Sequence, residues 1–186
     1  MITIYDNFLP QEDFDRIQAT MLGGDFPWFF SKTKVKSVNP DDPHNFQFTH
    51  MVYDNYVPMS QFWGDLDPLI RRINAQAWLR TKCNLTPRTE ETYTYGLHVD
   101  IDDFYGKTAI FYINENNGMT SFSVGKQVYF VPPMENRLVV FDANIEHTGL
   151  SCTDQKVRCL INLNFLPNPS FNLSPEDLKR IKKTEL

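Results

Sequence analysis

The sequence predicts a mostly β fold: an antiparallel jelly roll or small barrel with supporting N-terminal helices and a short C-terminal helix. Three observations carry this. Six strand-like stretches follow one another beyond Thr86, at 92–99, 108–113, 120–124, 127–131, 138–141 and 157–165. Their joints are rich in Asn, Gly, Pro and Asp, residues that tolerate the backbone of tight turns. No strand is followed by a helical crossover long enough for a parallel sheet, which leaves antiparallel closure. With 186 residues, 41% hydrophobic and 14% aromatic, the chain can fill one sizeable core, so a single domain over 1–186 is expected.

Residues 2–5 alternate apolar and polar and read as an edge strand. After Pro10, the segment QEDFDRIQATML repeats Phe14, Ile17 and Met21 at helical spacing. Its early acids suit the dipole of a helix that Gly23-Gly24 ends. The aromatic run FPWFF at 26–30 reads as packing that closes one end of the fold, with a substrate-facing rim as the alternative. A loop follows at 39–45 and a strand at 46–53. Ser60 can cap a second helix whose stripe runs through Phe62, Leu66, Leu69, Ile70, Ile73 and Ala77. Its end is ambiguous, because 78–85 has period-two character. Ser174-Pro175-Glu176-Asp177 has the cap, proline and acid of a helix start.

A formal charge of −5 argues against a surface built to grip nucleic acid. Arg71, Arg72, Arg80, Lys82 and Arg88 read as solvated surface, spread among acidic and apolar positions. The three cysteines, Cys83, Cys152 and Cys159, cannot form a disulfide framework and lack zinc-finger spacing, which favours a reducing, cytoplasmic compartment. Cys83 and Cys159 read as small buried hydrophobes. The opening residues have no secretory pattern, no apolar run is long enough to span a membrane, and no nucleotide-binding glycine motif occurs.

Chemistry concentrates in few residues. Of four histidines, His98 lies two residues before Asp100 in a strand-like segment. A period of two points both side chains to one face and turns Val99 away. His147 follows the apolar strand RLVVFD within a polar, rim-like segment. Two imidazoles and one carboxylate make the facial triad of non-haem iron(II) oxygenases, leaving adjacent positions for an organic co-substrate and dioxygen. Zinc could use the same donors, but structural zinc normally closes its shell with a fourth protein ligand. Arg158 lies in VRCLINLNF among apolar neighbours, where a cation needs an anion and a guanidinium fork fits a carboxylate. Pairing with an Asp or Glu at the barrel end is the alternative reading.

Together these motifs carry a resemblance. YGLHVDIDD, TAIFYIN with NNGMTSF, VPPMENRLVVFD, IEHTG and VRCLINLNF occur in the order of a known core. The segment 84–165 resembles the double-stranded β-helix (jelly roll, cupin-like) core of the 2-oxoglutarate and Fe(II)-dependent oxygenases, prolyl-4-hydroxylase-like and of viral or bacterial type. The resemblance implies a dioxygenase that hydroxylates an unactivated C–H bond of a peptidyl proline or other protein side chain, with O2 as co-substrate and succinate and CO2 released. It implies His98, Asp100 and His147 as iron ligands, and Arg158 as partner of the distal carboxylate of 2-oxoglutarate, assisted by Tyr112. Asn84 matches a co-substrate asparagine in part, because the accompanying tyrosine is replaced by Thr86. Asn164 stands where prolyl-hydroxylase-like enzymes commonly carry Trp, and Asn162 and Asn164 share the parity of Arg158. Prolyl specificity is therefore not carried over. The competing readings are a cupin-like metal enzyme without 2-oxoglutarate, a hydroxylase of a free amino acid, small metabolite or nucleobase, and a non-enzymatic jelly roll.

Overall fold

The computed structural model describes residues 1–36, 38–39, 41–169 and 179–186. Strand β1 (Ile2–Asp6) leads into helix α1 (Gln11–Leu22), which buries Phe14, Ile17 and Met21 at the predicted spacing. Strands β2 (Phe29–Ser31), β3 (Gln47–Asp54) and β4 (Val57–Pro58) follow. The predicted second helix is two short ones, α2 (Phe62–Asp65) and α3 (Asp67–Ile73). The second ends at Asn74 in the left-handed region, and Ala77 opens β5 (Ala77–Pro87). Period-two patterning therefore prevails over the helical stripe from residue 77 onward.

The remaining strands are β6 (Lys107–Tyr112), β7 (Thr120–Val124), β8 (Gln127–Val131), β9 (Leu138–Asp142), β10 (Glu146–Gly149), β11 (Val157–Leu166) and β12 (Lys182–Glu185). A large antiparallel sheet runs β12-β1-β9-β6-β11-β5-β3-β2, with β4 on β3, and a small one runs β10-β7-β8. Two expectations are corrected. Residues 2–5 are not an edge, because β12 pairs antiparallel with β1. Residues 92–99 form no strand; their backbone meets β10 and its continuation at the isolated bridges Thr94–Leu150 and His98–His147 and through Thr148 Oγ1, which donates to the Tyr95 carbonyl at 2.6 Å. The predicted helix start at 174–177 lies outside the described residues.

Alternation along β6 and β11 sorts two cores. Ala109 and Phe111 of β6 and Cys159, Ile161, Leu163 and Phe165 of β11 join Phe14, Ile17 and Met21 beneath α1. Ile110, Tyr112 and Leu160 face inward, against Phe122 and Val131 of the small sheet and Phe141. Both faces of β11 are covered, so polar residues at its inward positions are buried by the fold. The polar set Arg158, Asn162 and Asn164 is the inner wall of the sandwich. Phe26 packs with Trp28, His50 and Phe62, whereas Phe29 and Phe30 are exposed on β2.

Asn136 ties the N-terminal segment to this framework. Its side chain accepts from the Leu9 N–H at 2.8 Å and donates to the Leu9 carbonyl at 2.9 Å, from a backbone at φ 59°. Asn136→Ala should cost about 2–4 kcal/mol, because two buried backbone groups lose their partners. Asn136→Gly should recover only the backbone share. Urea unfolding checks both; an unchanged midpoint for the alanine variant would remove Asn136 from this role.

Candidate metal centre

His98 and His147 are brought together by main chain. The His98 N–H donates to the His147 carbonyl at 3.1 Å and the His147 N–H donates back at 2.9 Å. A reciprocal antiparallel pair puts its two side chains on one face, and the rings lie 4.8 Å apart between centroids. Each ring places Nδ1 against a carbonyl two residues earlier, Gly96 at 3.0 Å and Ile145 at 3.2 Å. A carbonyl only accepts, so Nδ1 carries the proton in the neutral ring and the Nε2 lone pair is left for a metal.

Asp100 completes the cluster: one donor atom from each of His98, Asp100 and His147 lies within 4.8 Å of the others. Its carboxylate faces His147 Nε2 at 3.5 Å and Arg80 Nη2 at 3.3 Å, and it accepts from Asn162 Nδ2 at 2.8 Å. Burial alone would raise its pKa, but His147, Arg80 and Asn162 outweigh burial and hold the carboxyl well below the usual range. Burial and His147 lower His98; for His147, burial is outweighed by Asp100 and the pKa rises. Two neutral-capable imidazoles and one committed carboxylate are a donor set that suits iron(II), and no fourth protein donor joins them among the described residues.

A cavity extends from this cluster, lined by Lys34, Lys82, Asn84, Thr86, Thr120 and Arg158 among others. Arg158 is 4% exposed. Its guanidinium donates to the Gly118 carbonyl at 3.2 Å and Thr120 Oγ1 at 2.8 Å, with no carboxylate partner among the described residues. The barrel-end ion pair considered for it is absent, and burial lowers its pKa. Gly149 lies against it, and a Cβ there would stand in contact with the guanidinium, 3.4 Å from Nη1. The Tyr112 hydroxyl meets Thr120 Oγ1 at 2.6 Å, and the Arg158 guanidinium lies 5.7 Å from the Tyr112 ring centroid. Thr120 therefore stands between Tyr112 and the cavity. Asn84 also lines the cavity, with a buried Oδ1 that has no hydrogen-bond partner among the described residues.

Several residues of this site were missed or misplaced by sequence reasoning. Lys34 enters from the loop after β2, held by the fully buried Asn45, which binds the backbone N–H groups of Lys34 and Val35 at 3.2 and 3.0 Å. Its ammonium donates to Thr86 Oγ1 at 3.0 Å and sits 3.4 Å from the Tyr95 ring centroid. Burial first, then Arg158, pushes its pKa well down. Arg80 and Lys82, expected at the solvated surface, instead face inward. Arg80 donates to Asn164 Oδ1 at 3.1 Å beside its Asp100 contact, and Lys82 lines the cavity, its pKa lowered by burial and Arg80 against a smaller pull from Asp100. Their alternate spacing with Asn84 and Thr86 on β5 was the signal that could have found them.

The other expected bystanders stay apart from the centre. His50 is buried, with Nδ1 2.7 Å from the Pro27 carbonyl, and His44 stacks near Tyr93. Burial raises Cys83 well above its usual pKa and Cys159 to about 12. These thiols stay protonated and poorly nucleophilic. None of the aromatic residues 26–30 lines the cavity.

No protein-family model matches the chain, and no curated protein matches it. Solved structures do. A 2OG-Fe(II) oxygenase family oxidoreductase from Burkholderia pseudomallei superposes with a TM-score of 0.68 at 11% identity, covering 92% of this chain and 89% of that one. The non-heme alpha ketoglutarate dependent epimerase SnoN of nogalamycin biosynthesis gives 0.63 at 10%, covering 94% and 87%. A prolyl hydroxylase from Trichoplax adhaerens, solved with a hypoxia inducible factor peptide fragment, gives 0.61 at 17%, covering 89% and 83%. The chain has the double-stranded β-helix fold of 2-oxoglutarate/Fe(II) oxygenase-like structures, with a facial-triad-like cluster of His98, Asp100 and His147.

Proposed function

We propose that the protein is a non-haem Fe(II) and 2-oxoglutarate-dependent dioxygenase that hydroxylates an unactivated C–H bond. The observation that carries this reading is the pairing of two sites in one cavity: three metal-capable donors, and a buried arginine without a carboxylate partner among the described residues. A metal site alone would suit many cupin-like enzymes. An unanswered buried cation beside it calls for an anionic co-substrate, because a charge out of water is costly unless paired.

In this reading His98, Asp100 and His147 hold Fe(II), and Arg158 takes the distal carboxylate of 2-oxoglutarate through its planar fork. Thr120 fixes the guanidinium, Tyr112 orients Thr120 through its hydroxyl, and Lys34 adds a second positive charge at the Arg158 end. Asn84 offers its amide N–H groups as donors to the co-substrate and its Oδ1 as an acceptor to water held beside it. Asn162 and Arg80 keep Asp100 ionised and aimed at the metal. When bound, Fe(II) with 2-oxoglutarate and dioxygen supplies the oxidant for hydrogen abstraction and oxygen transfer, with succinate and CO2 as the co-products. The protein's share is position, charge and exclusion of water, and no side-chain acid or base is required. A reducing compartment keeps the three buried thiols free and suits a ferrous ion.

Three outcomes test the assignment. Asp100→Ala should lose most Mn(II) affinity while keeping its circular dichroism spectrum; a calorimetric affinity equal to wild type would rule out Asp100 as a ligand. Arg158→Ala should weaken 2-oxoglutarate binding to the Mn(II) protein by roughly thirty-fold to several thousand-fold, the equivalent of about 2–5 kcal/mol for a buried charged pair. Arg158→Lys should recover only part of that loss, and unchanged binding in Arg158→Ala would exclude the pairing. Lys34→Met should act in opposite directions on folding and binding. A buried lysine with a lowered pKa binds fewer protons folded than unfolded, so its contribution rises with pH between its folded pKa and the ordinary lysine range. The methionine variant should melt higher at neutral pH, lose that alkaline rise, and bind 2-oxoglutarate more weakly. A melting temperature lowered at pH 7 would show that the ammonium stabilises the empty fold instead.

A further inference from the structure

Lys82 is a cation that the co-substrate reading does not use. Strand β5 faces β11 in a regular register that sets Thr86 opposite Arg158 and Lys82 opposite Asn162. The two ends of the cavity are therefore distinct. Arg158, Lys34 and Thr86 share one end. The Lys82 backbone is four residues further along the strand than Thr86, beside the Asn162 that binds Asp100, and its ammonium is still near enough to Lys34 to lower the Lys34 pKa. Lys82 lines the cavity and makes no hydrogen bond or ion pair among the described residues. The one carboxylate lining the cavity, Asp100, is already committed to Arg80, Asn162 and His147.

Charge balance then points to a second anion. A divalent metal and a dianionic 2-oxoglutarate cancel each other, and Asp100 cancels Arg80. The distal carboxylate of the co-substrate is already counted, so Arg158 and the protonated share of Lys34 and Lys82 leave the loaded cavity positive. A lysine can answer that charge by losing its proton, as burial favours, or by meeting a further anion, and Lys82 is the one that stands beside the metal end.

Resting on the oxygenase reading above, we propose that the substrate is a small molecule carrying an oxyanion, a carboxylate or phosphate, and that Lys82 anchors it beside the metal. A proline ring has no charged group of its own to place there, so a peptidyl substrate would have to supply the oxyanion from a neighbouring acidic side chain or a C-terminal carboxylate. An ammonium is a point charge with three rotatable donors, suited to either oxyanion without the fixed fork of a guanidinium.

The test uses protein loaded with Zn(II) and 2-oxoglutarate and carrying [13Cε]lysine, with acetate and methyl phosphate as separate probes. At least one probe should saturate and shift the Lys82 resonance, identified by its loss in Lys82→Met; acetate as the tighter probe assigns a carboxylate, methyl phosphate a phosphate. Lys82→Met should weaken that probe at least ten-fold while changing 2-oxoglutarate affinity less than two-fold, and Lys82→Arg should restore part of the probe binding. Melting curves for both variants confirm that folded protein is compared. The proposal is overturned if neither probe moves the Lys82 resonance, or if Lys82→Met weakens 2-oxoglutarate ten-fold or more, which would place Lys82 on the co-substrate. Failure of the wild type to bind 2-oxoglutarate would instead count against the oxygenase reading. The probe titration on protein with Zn(II) alone still tests Lys82 in that case.

Discussion

The reciprocal pair of hydrogen bonds between His98 and His147 is the constraint on which the centre depends. The segment that carries His98 and Asp100 has no strand of its own; these two bonds, with Tyr95 N–H to the Gly149 carbonyl at 3.3 Å and Ser151 N–H to the Tyr93 carbonyl at 2.9 Å, lay it along β10. Two imidazoles are thereby fixed side by side through main chain, with little conformational freedom left to lose when a metal arrives. Asp100 follows at the distance its two-residue offset allows, and Asn162 and Arg80 reach across from the large sheet to hold it. Ligand geometry is thus set by contact between the two sheets, and the loop is ordered by what it binds.

The second organising feature is an excess of buried positive charge. Arg158, Lys34 and Lys82 all line one cavity, and burial lowers the pKa of each. Leaving such groups without anions costs stability, and replacing them by apolar residues of similar shape would commonly relieve it. Entry of an anionic co-substrate, as proposed above, would explain their presence. The same low dielectric that penalises the empty site strengthens each ion pair once an anion arrives, so the site exchanges folding stability for affinity. The fully buried Asn45 shows how firmly one of these charges is placed, since it clasps the backbone at Lys34 and Val35 from a loop ten residues downstream.

Most strands could be read directly because their inner and outer faces differ chemically. The alternation of β6 and β11 named Arg158, Asn162 and Asn164 as one inward face, and the structure puts them there. Helix α1 was equally clear, since Phe14, Ile17 and Met21 repeat at helical spacing. Residues 92–99 alternate in sequence like a strand but form none, because their backbone meets β10 and its continuation at isolated bridges and not along a continuous ladder. Residue 77 was assigned to a helix because Ala77 extends an apolar stripe that Asn74 had already ended in a left-handed turn. Strand β12 left little trace: KKTE has no apolar face to mark it, although it pairs with β1 in register. Within the site, His98 and Asp100 could be picked out by their shared parity, His147 as one of four histidines placed after an apolar strand, and Arg158 as a cation among apolar neighbours, with the order of the motifs joining them. Lys34 could not, because only the tertiary fold carries a loop residue fifty-two positions away to Thr86. Arg80 and Lys82 were set aside because lysine and arginine are usually solvated, although their parity with Asn84 placed them inside.

The account stands on one claim, that the three donors and Arg158 bind a single metal–co-substrate unit. Anaerobic titration of Fe(II) into the protein with 2-oxoglutarate, followed by visible absorption, tests it most directly, because chelation of ferrous iron by a 2-oxo acid colours the complex. The account predicts a band that saturates at one iron per chain and requires both components, and that is abolished when Asp100 is replaced by Ala. Iron that binds with equal affinity and an unchanged spectrum whether or not 2-oxoglutarate is present would contradict it.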